Sequence, residues 1–247
     1  AAPAASLAVP EPQLGLALDG GLSHALARLP QGEGALGLFA ALSGRRLDGL
    51  DLARAGLATH LADAEQLPLL EEALADAAGA THGPAAIEAH LAAASRDVRR
   101  RDVAEAVREE LGGGPGGLDA YAELAECFGP ARGSVEEVAR ALEASPSAHA
   151  APVLEALRAA SPLALKVAFA QVRAARELLK GQGRPGALAA CLRQEVTANL
   201  NLQREPEFAD AMAALEGGES YQWQKSLEDV TDEDVQRVLT VRDIQVE

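Results

Sequence analysis

The sequence has 247 residues, 48% of them hydrophobic and only 3% aromatic, and carries a formal net charge of −15. That apolar share is enough for a packed core, and its Ala and Leu character favours helices packed through small side chains over sheets with aromatic faces. The charge argues against broad contact with nucleic-acid backbones or anionic membranes, and no apolar run reaches the roughly 18 residues that a bilayer span requires.

In chain order, Ser6-Leu7-Ala8-Val9 reads as a short strand that Pro10-Glu11-Pro12 brings to an end. Leu14 to Leu18 then runs into Asp19-Gly20-Gly21, a tight turn before a helix over Leu22 to Leu29. Ala35 to Leu42 and Leu50 to Ala55 are further helices, and Leu57 to Leu61 a second short strand. From Ala64 to about Leu111 the pattern is helical, broken at Gly79 to Pro84, and Gly112 to Gly117 reads as a surface loop. Within it, the basic run Arg96 to Arg101 reads as a solvated helix face with no role. Ser134-Val135-Glu136-Glu137 has the form of a capping box, Ser161-Pro162 opens another helix, and Ala187 to Leu202 and Glu207 to Leu215 continue in helical pattern. Thr231-Asp232-Glu233-Asp234 caps a last helix ending near Leu239. Cys127 and Cys191 lack CxxC spacing and read as small buried residues of a reducing compartment, and the five histidines show no metal-ligand spacing.

The order of motifs resembles the 3-hydroxyisobutyryl-CoA hydrolases, a branch of the enoyl-CoA hydratase/isomerase superfamily. Pro10-Glu11, Gly15, Asp19, Gly21 and Arg28-Leu29-Pro30 match that family's PE-x-x-x-G-x-x-x-D segment and the RLP after it, without a gap. Ser43-Gly44, Arg46-Leu47, Gly49, Asp51 and Ala55 to His60 match its TG-x-RL-x-G-x-D and AG-x-ATH blocks. Ser134 to Val138, Ser161 to Lys166, Trp223 and Asp229 to Asp234 are similar to later stretches, so the resemblance spans nearly the whole chain. It implies an α/β crotonase-like fold, of which this is the carboxyl-terminal part, predominantly helical with a few short strands. Residues 1–62 would end the crotonase core, and residues 63–247 would form a helical hydrolase-type region.

On spacing alone, Glu11 reads as an exposed loop residue and Asp19 as the cap of the following helix. The resemblance implies instead that Glu11 and Asp19 are a catalytic pair, with Glu11 as nucleophile or general base and Asp19 positioning substrate or relaying a proton. Gly15, Gly20 and Gly21 would face the substrate, a CoA thioester, with no metal and no other cofactor. This chain departs from the family at Ala17-Leu18 and Gly20-Gly21-Leu22, and lacks basic residues at Met212 to Ala214 and Glu216 to Gly218, which argues against CoA phosphate contacts there. The family's oxyanion hole precedes the matched segment, and losing one such donor commonly costs about 100- to 1,000-fold. The chain alone is therefore expected to be inactive.

The expectation placed first is a homologue recruited as a non-catalytic subunit of a mitochondrial matrix assembly, such as the small ribosomal subunit that hydrolase-like proteins of this family resemble. It would contact other protein subunits, with little direct nucleic-acid contact. The alternative is an active hydrolase of valine breakdown whose amino-terminal half is a separate or missing partner.

Overall fold

A computed structural model describes residues 5–79, 83–98, 106, 107, 109 and 117–241. The elements run β1 (Ser6–Leu7), a 3-10 turn at Glu11–Leu14, α1 (Leu22–Ala27), α2 (Ala35–Ser43), β2 (Leu47–Asp48), α3 (Gly49–Arg54), β3 (His60–Leu61), α4 (Leu67–Gly79), α5 (Gly83–Ala94) and β4 (Arg96–Asp97). They continue with α6 (Gly117–Leu124), α7 (Val135–Ala144), α8 (Ala150–Ala159), α9 (Pro162–Leu202), α10 (Pro206–Glu216) and α11 (Asp232–Leu239). The chain divides into two compact units, Ala1–Leu7 with Arg46–Ala120, and Ala8–Arg45 with Tyr121–Glu247.

In the first unit β1 pairs antiparallel with β2, Leu7 opposite Leu47. Asp48 then starts α3 through a capping box with Asp51, its side chain accepting the Asp51 N–H at 2.8 Å. Such reciprocal caps satisfy helix donors that have no partner within the helix. β3 pairs antiparallel with β4, His60 opposite Asp97. Leu50, Leu61, Val98 and Val107 form the core beneath. This pairing corrects two sequence expectations. Arg96 and Asp97 are not a solvated helix face but a half-buried strand, and the helical run from Ala64 is interrupted after Ala94, with Ala106, Val107 and Glu109 helical again. Strand pairing with His60–Leu61 satisfies the backbone there, which local helix propensity could not anticipate. The remainder of that basic run and the proposed loop at 112–116 lie outside the described residues.

The second unit is organised on α9. Sequence periodicity separates a helix at Ser161-Pro162 from one at Ala187 to Leu202, and α9 has that break: its span from Pro162 to Leu202 is two helical segments joined across a kink at Gly183 (φ 67°, ψ 174°). A glycine takes that φ without a Cβ penalty, and Pro185 restarts the helix with no N–H to satisfy. Ala17, Val167, Ala198, Leu202, Val235 and Val238 pack along α9 and α11, and the Asn201 amide donates to the carbonyls of Val238 (2.8 Å) and Thr240 (3.0 Å) at the end of α11. α1 and α2 meet at Gly37, where a Cβ would lie 2.4 Å from the Leu26 carbonyl oxygen. Phe39 of α2 packs edge-on against Phe128 at 5.3 Å between centroids. The Ser134 cap holds as expected by accepting the Glu137 N–H, while the Glu137 carboxylate turns to the Gly133 N–H at 2.7 Å.

Candidate functional site

Among the described residues the stretch from Ala17 to Ser23 has no strand partner; three polar side chains of α9 hold it instead. The Asn199 amide accepts the Ala17 N–H at 2.9 Å and donates back to the Ala17 carbonyl at 3.2 Å. Gln171 does the same for Leu18, at 3.1 and 3.4 Å. Glu195, 1% exposed, accepts the N–H of Gly21 at 2.7 Å, the N–H of Ser23 at 2.9 Å and the Ser23 hydroxyl at 2.5 Å. An amide side chain presents a donor and an acceptor in the same relation as a peptide group, so Gln171 and Asn199 stand in for a neighbouring strand. Buried polar side chains are tolerated when paired in this way.

This clamp sets the candidate carboxylates. Glu11 opens the 3-10 turn, which Gly15 closes in a left-handed conformation, and the Ser161 N–H at the head of α9 donates to the Pro12 carbonyl at 2.9 Å. Glu11 is half-buried rather than an exposed loop residue. Burial pushes its carboxyl above the ordinary glutamate value; its own backbone N–H opposes the shift and the negative charge of Asp19 adds to it. One Glu11 oxygen, Oε2, is buried with no hydrogen-bond partner among the described residues. Asp19 is exposed on the turn before α1, and its backbone carbonyl accepts the Leu22 N–H at 2.9 Å. It does not cap α1: Gly21 occupies the cap position, and the carboxylate there comes from Glu195. The geometry thus brings Glu11 within electrostatic reach of Asp19, and leaves Glu11 free to take or give a proton.

The three candidate glycines have different surroundings. Gly20 (φ 62°) has nothing within 4 Å of where a Cβ would sit, so its backbone is open to approach. Gly21 (φ 87°) commits its N–H to Glu195. Gly15 (φ 72°) is buried against Trp223, whose ring carbon Cη2 lies 2.5 Å from a would-be Cβ. With Pro162, Leu202, Phe208, Trp223 and Lys225, Gly15 lines a cavity of about 310 Å³ whose lining does not include Glu11 or Asp19. Larger cavities of about 550 and 770 Å³ flank α7, where Glu136 is paired with Lys166 at 2.5 Å.

Sequence reasoning missed Gln171, Glu195 and Asn199. The available signal was polar residues at positions where the helix packs inward: Gln171 lies between Phe169 and Val172, and Glu195 four residues after Cys191, all of them buried. It also missed Gln13, whose side-chain amide is buried with neither end bonded among the described residues. Cys127 and Cys191 are both buried free thiols, raised by burial. Burial lowers the proton affinity of His24, and the positive charge of Arg28 adds to the shift. Among the described residues no group of three His, Cys, Asp or Glu side chains is placed to hold a metal ion.

The sequence profile of the enoyl-CoA hydratase/isomerase family matches residues 1–239. The mitochondrial 3-hydroxyisobutyryl-CoA hydrolase of Homo sapiens is 30% identical over 233 residues, covering 92% of this chain and 54% of its own length. Small ribosomal subunit protein mS47 of Arabidopsis thaliana is 33% identical over 190 residues, covering 76% of this chain and 41% of its own. The chain spans about half the length of the curated relatives it matches. In structure it superposes on a carnitinyl-CoA dehydratase from Mycobacterium thermoresistibile with a TM-score of 0.76 at 24% identity, over 98% of this chain and 61% of the other. The fold is therefore crotonase-like, as the motif order implied, with predominantly helical content.

Proposed function

The chain belongs to the enoyl-CoA hydratase/isomerase family, and on that footing we propose that it carries the carboxylate pair of a thioester hydrolase acting on 3-hydroxyisobutyryl-CoA. The observation that carries this reading is Glu11: a half-buried carboxyl with raised proton affinity, one oxygen unbonded, and Asp19 in electrostatic reach. Glu11 takes a proton from a water molecule as that water attacks the thioester carbonyl. When the tetrahedral intermediate collapses, the C–S bond breaks, the acid is released, and the departing thiolate of CoA recovers the proton from Glu11. Asp19 sustains the proton affinity of Glu11 through its charge, and the open Gly20 turn lets the acyl group approach. Gly21 fixes the turn through its N–H to Glu195, and Gly15 closes the 3-10 turn that carries Glu11. In this reading residues 1–62 end the catalytic core, residues 63–247 form the helical region, and the protein works in the mitochondrial matrix.

The test is thiol release from 3-hydroxyisobutyryl-CoA by the native polypeptide that carries this sequence, compared with its Glu11→Gln variant. Loss of a general base lowers kcat by roughly 100- to 10,000-fold. Equal rates for the two proteins would reject the assignment.

A second reading is a structural subunit of a mitochondrial assembly, favoured by the 33% identity to a small ribosomal subunit protein. With a net charge of −15, such a subunit would contact proteins and not RNA. Co-sedimentation of the native protein with the small ribosomal subunit, without thioesterase activity, would select it.

A further inference from the structure

Beyond the thioester reading, and independent of it, the cavity of about 550 Å³ beside α7 has the makings of a second binding site. It lies wholly within the second unit, between α7, α8 and the chain from Trp223 to Glu228. Small-molecule sites combine apolar walls with a few convergent polar groups. Here the walls are Leu154, Leu157, Trp223 and Leu227. The charged groups are the cations Arg140, Arg158 and Lys225 and the carboxylates Glu136, Glu143 and Glu228, so the two signs balance.

Pairing among these six is incomplete. Arg158 and Glu143 bind each other. Glu136 gives Oε1 to the Lys166 ammonium at 2.5 Å, while its Oε2 is buried with no hydrogen-bond partner among the described residues. Burial opposes the charge of Glu136, but hydrogen bonds led by that from Lys166 outweigh it and hold the carboxyl below the ordinary glutamate value. Arg140 makes no ion pair or hydrogen bond among the described residues, although it stands one turn along α7 from Glu136. Lys225 lies in electrostatic reach of Asp229 and Asp234, whose carboxylates are taken by Ser226 and Thr231, and forms an ion pair with neither. The cavity therefore offers one acceptor that lacks a donor and two cations that lack an anion. A buried acceptor left unpaired is costly, and a donor from outside would relieve it. Residues four apart on a helix have Cβ atoms roughly 5–6 Å from each other, so Glu136 and Arg140 suit a ligand whose opposite charges lie close together. The balance of signs disfavours a phosphate or a polycation.

We propose that this cavity binds a free apolar α-amino acid. Its ammonium donates to Glu136 Oε2, its carboxylate accepts from Arg140 and Lys225, and its side chain lies against Leu154, Leu157 and Trp223. Trp223 is also the residue packed against Gly15, which closes the turn carrying Glu11, so the two sites have one wall in common.

Saturation-transfer NMR on the native polypeptide that carries this sequence tests this with L-leucine as the probe. L-Leucine is expected to bind with a Kd of about 0.1–1 mM, with saturation strongest at its methyl groups. Isocaproate lacks the ammonium, isoamylamine the carboxylate and glycine the apolar side chain, and each binds about tenfold less tightly or worse. Arg140→Met, at an exposed position, keeps the wild-type circular dichroism and weakens L-leucine binding about tenfold, as does Glu136→Gln. Glu136→Gln also loosens the pair with Lys166, so where its circular dichroism differs from the wild type Arg140→Met decides alone. No binding up to about 10 mM overturns the proposal. So does isocaproate or isoamylamine binding as tightly as L-leucine, or an Arg140→Met protein that binds L-leucine as the wild type does.

Discussion

Replacing Glu195 tests whether α9 positions the Asp19–Gly21 turn. The carboxylate accepts three hydrogen bonds from Gly21 and Ser23 while almost fully buried. Bonds to a charged group contribute roughly 1.5–3 kcal/mol each, and a donor left unpaired in the interior costs about 1–3 kcal/mol. Glu195→Ala strands two amides and a hydroxyl, which is partly offset by no longer burying a carboxylate. The expected net loss is about 4 kcal/mol, in the range measured when one side of a buried polar pair is removed. Glu195→Gln keeps one acceptor oxygen and the volume but turns an NH₂ toward one of the donors, so it loses about 2 kcal/mol. Urea unfolding followed by far-ultraviolet circular dichroism measures both. Hydrogen exchange locates the change: protection at the Gly21 and Ser23 amides falls in both variants by more than at Val238 of α11. A Glu195→Ala variant within about 1 kcal/mol of the wild type would refute the clamp. So would a Glu195→Gln variant as damaged as the alanine, because the argument depends on the number of acceptors retained.

Two further outcomes follow from the same region. Gly15→Ala combines a positive φ with a Cβ 2.5 Å from the Trp223 ring, and is expected to destabilise by about 2–4 kcal/mol; Trp223→Ala in the same background should recover the steric part but not the backbone part, as read by thermal melts. Glu11 provides a pH signature: its folded carboxyl is raised above the unfolded value of about 4.3. The protonated form is thus favoured by folding, a contribution present below the unfolded value and lost as pH rises through the folded one. The stability of Glu11→Gln relative to wild type should therefore increase from about pH 4 toward neutrality, and a flat difference would show that burial does not disfavour the Glu11 charge.

What could be read from the residues was local. Caps at Ser134, Ser161 and Thr231 are written in the first four residues of each helix, and all three hold. What could not be read was non-local. Nothing around Arg96 and Asp97 indicates a strand, because the partner that makes them one is His60–Leu61, some 35 residues earlier. The break within α9 is a further local signal: Gly183 and Pro185 mark it, and the two helical segments meet in a kink there.

The candidate site shows the same division more sharply. Motif order singled out Glu11, Asp19 and the glycines, yet their geometry depends on Gln171, Glu195 and Asn199, some 150 to 180 residues away. A buried carboxylate, a buried amide and a half-buried one on one helix would be costly if each lacked a partner. Each is repaid only because the chain from Ala17 to Ser23 runs without a strand neighbour and needs the donors and acceptors they supply. The polar residues of α9 and the irregular turn therefore explain each other, and neither could be interpreted alone. Glu11, Gln13 and His24 are exceptions that this pairing leaves: each keeps a buried polar atom that no described group meets, so the clamp from α9 satisfies the backbone from Ala17 to Ser23 and not every side chain near it.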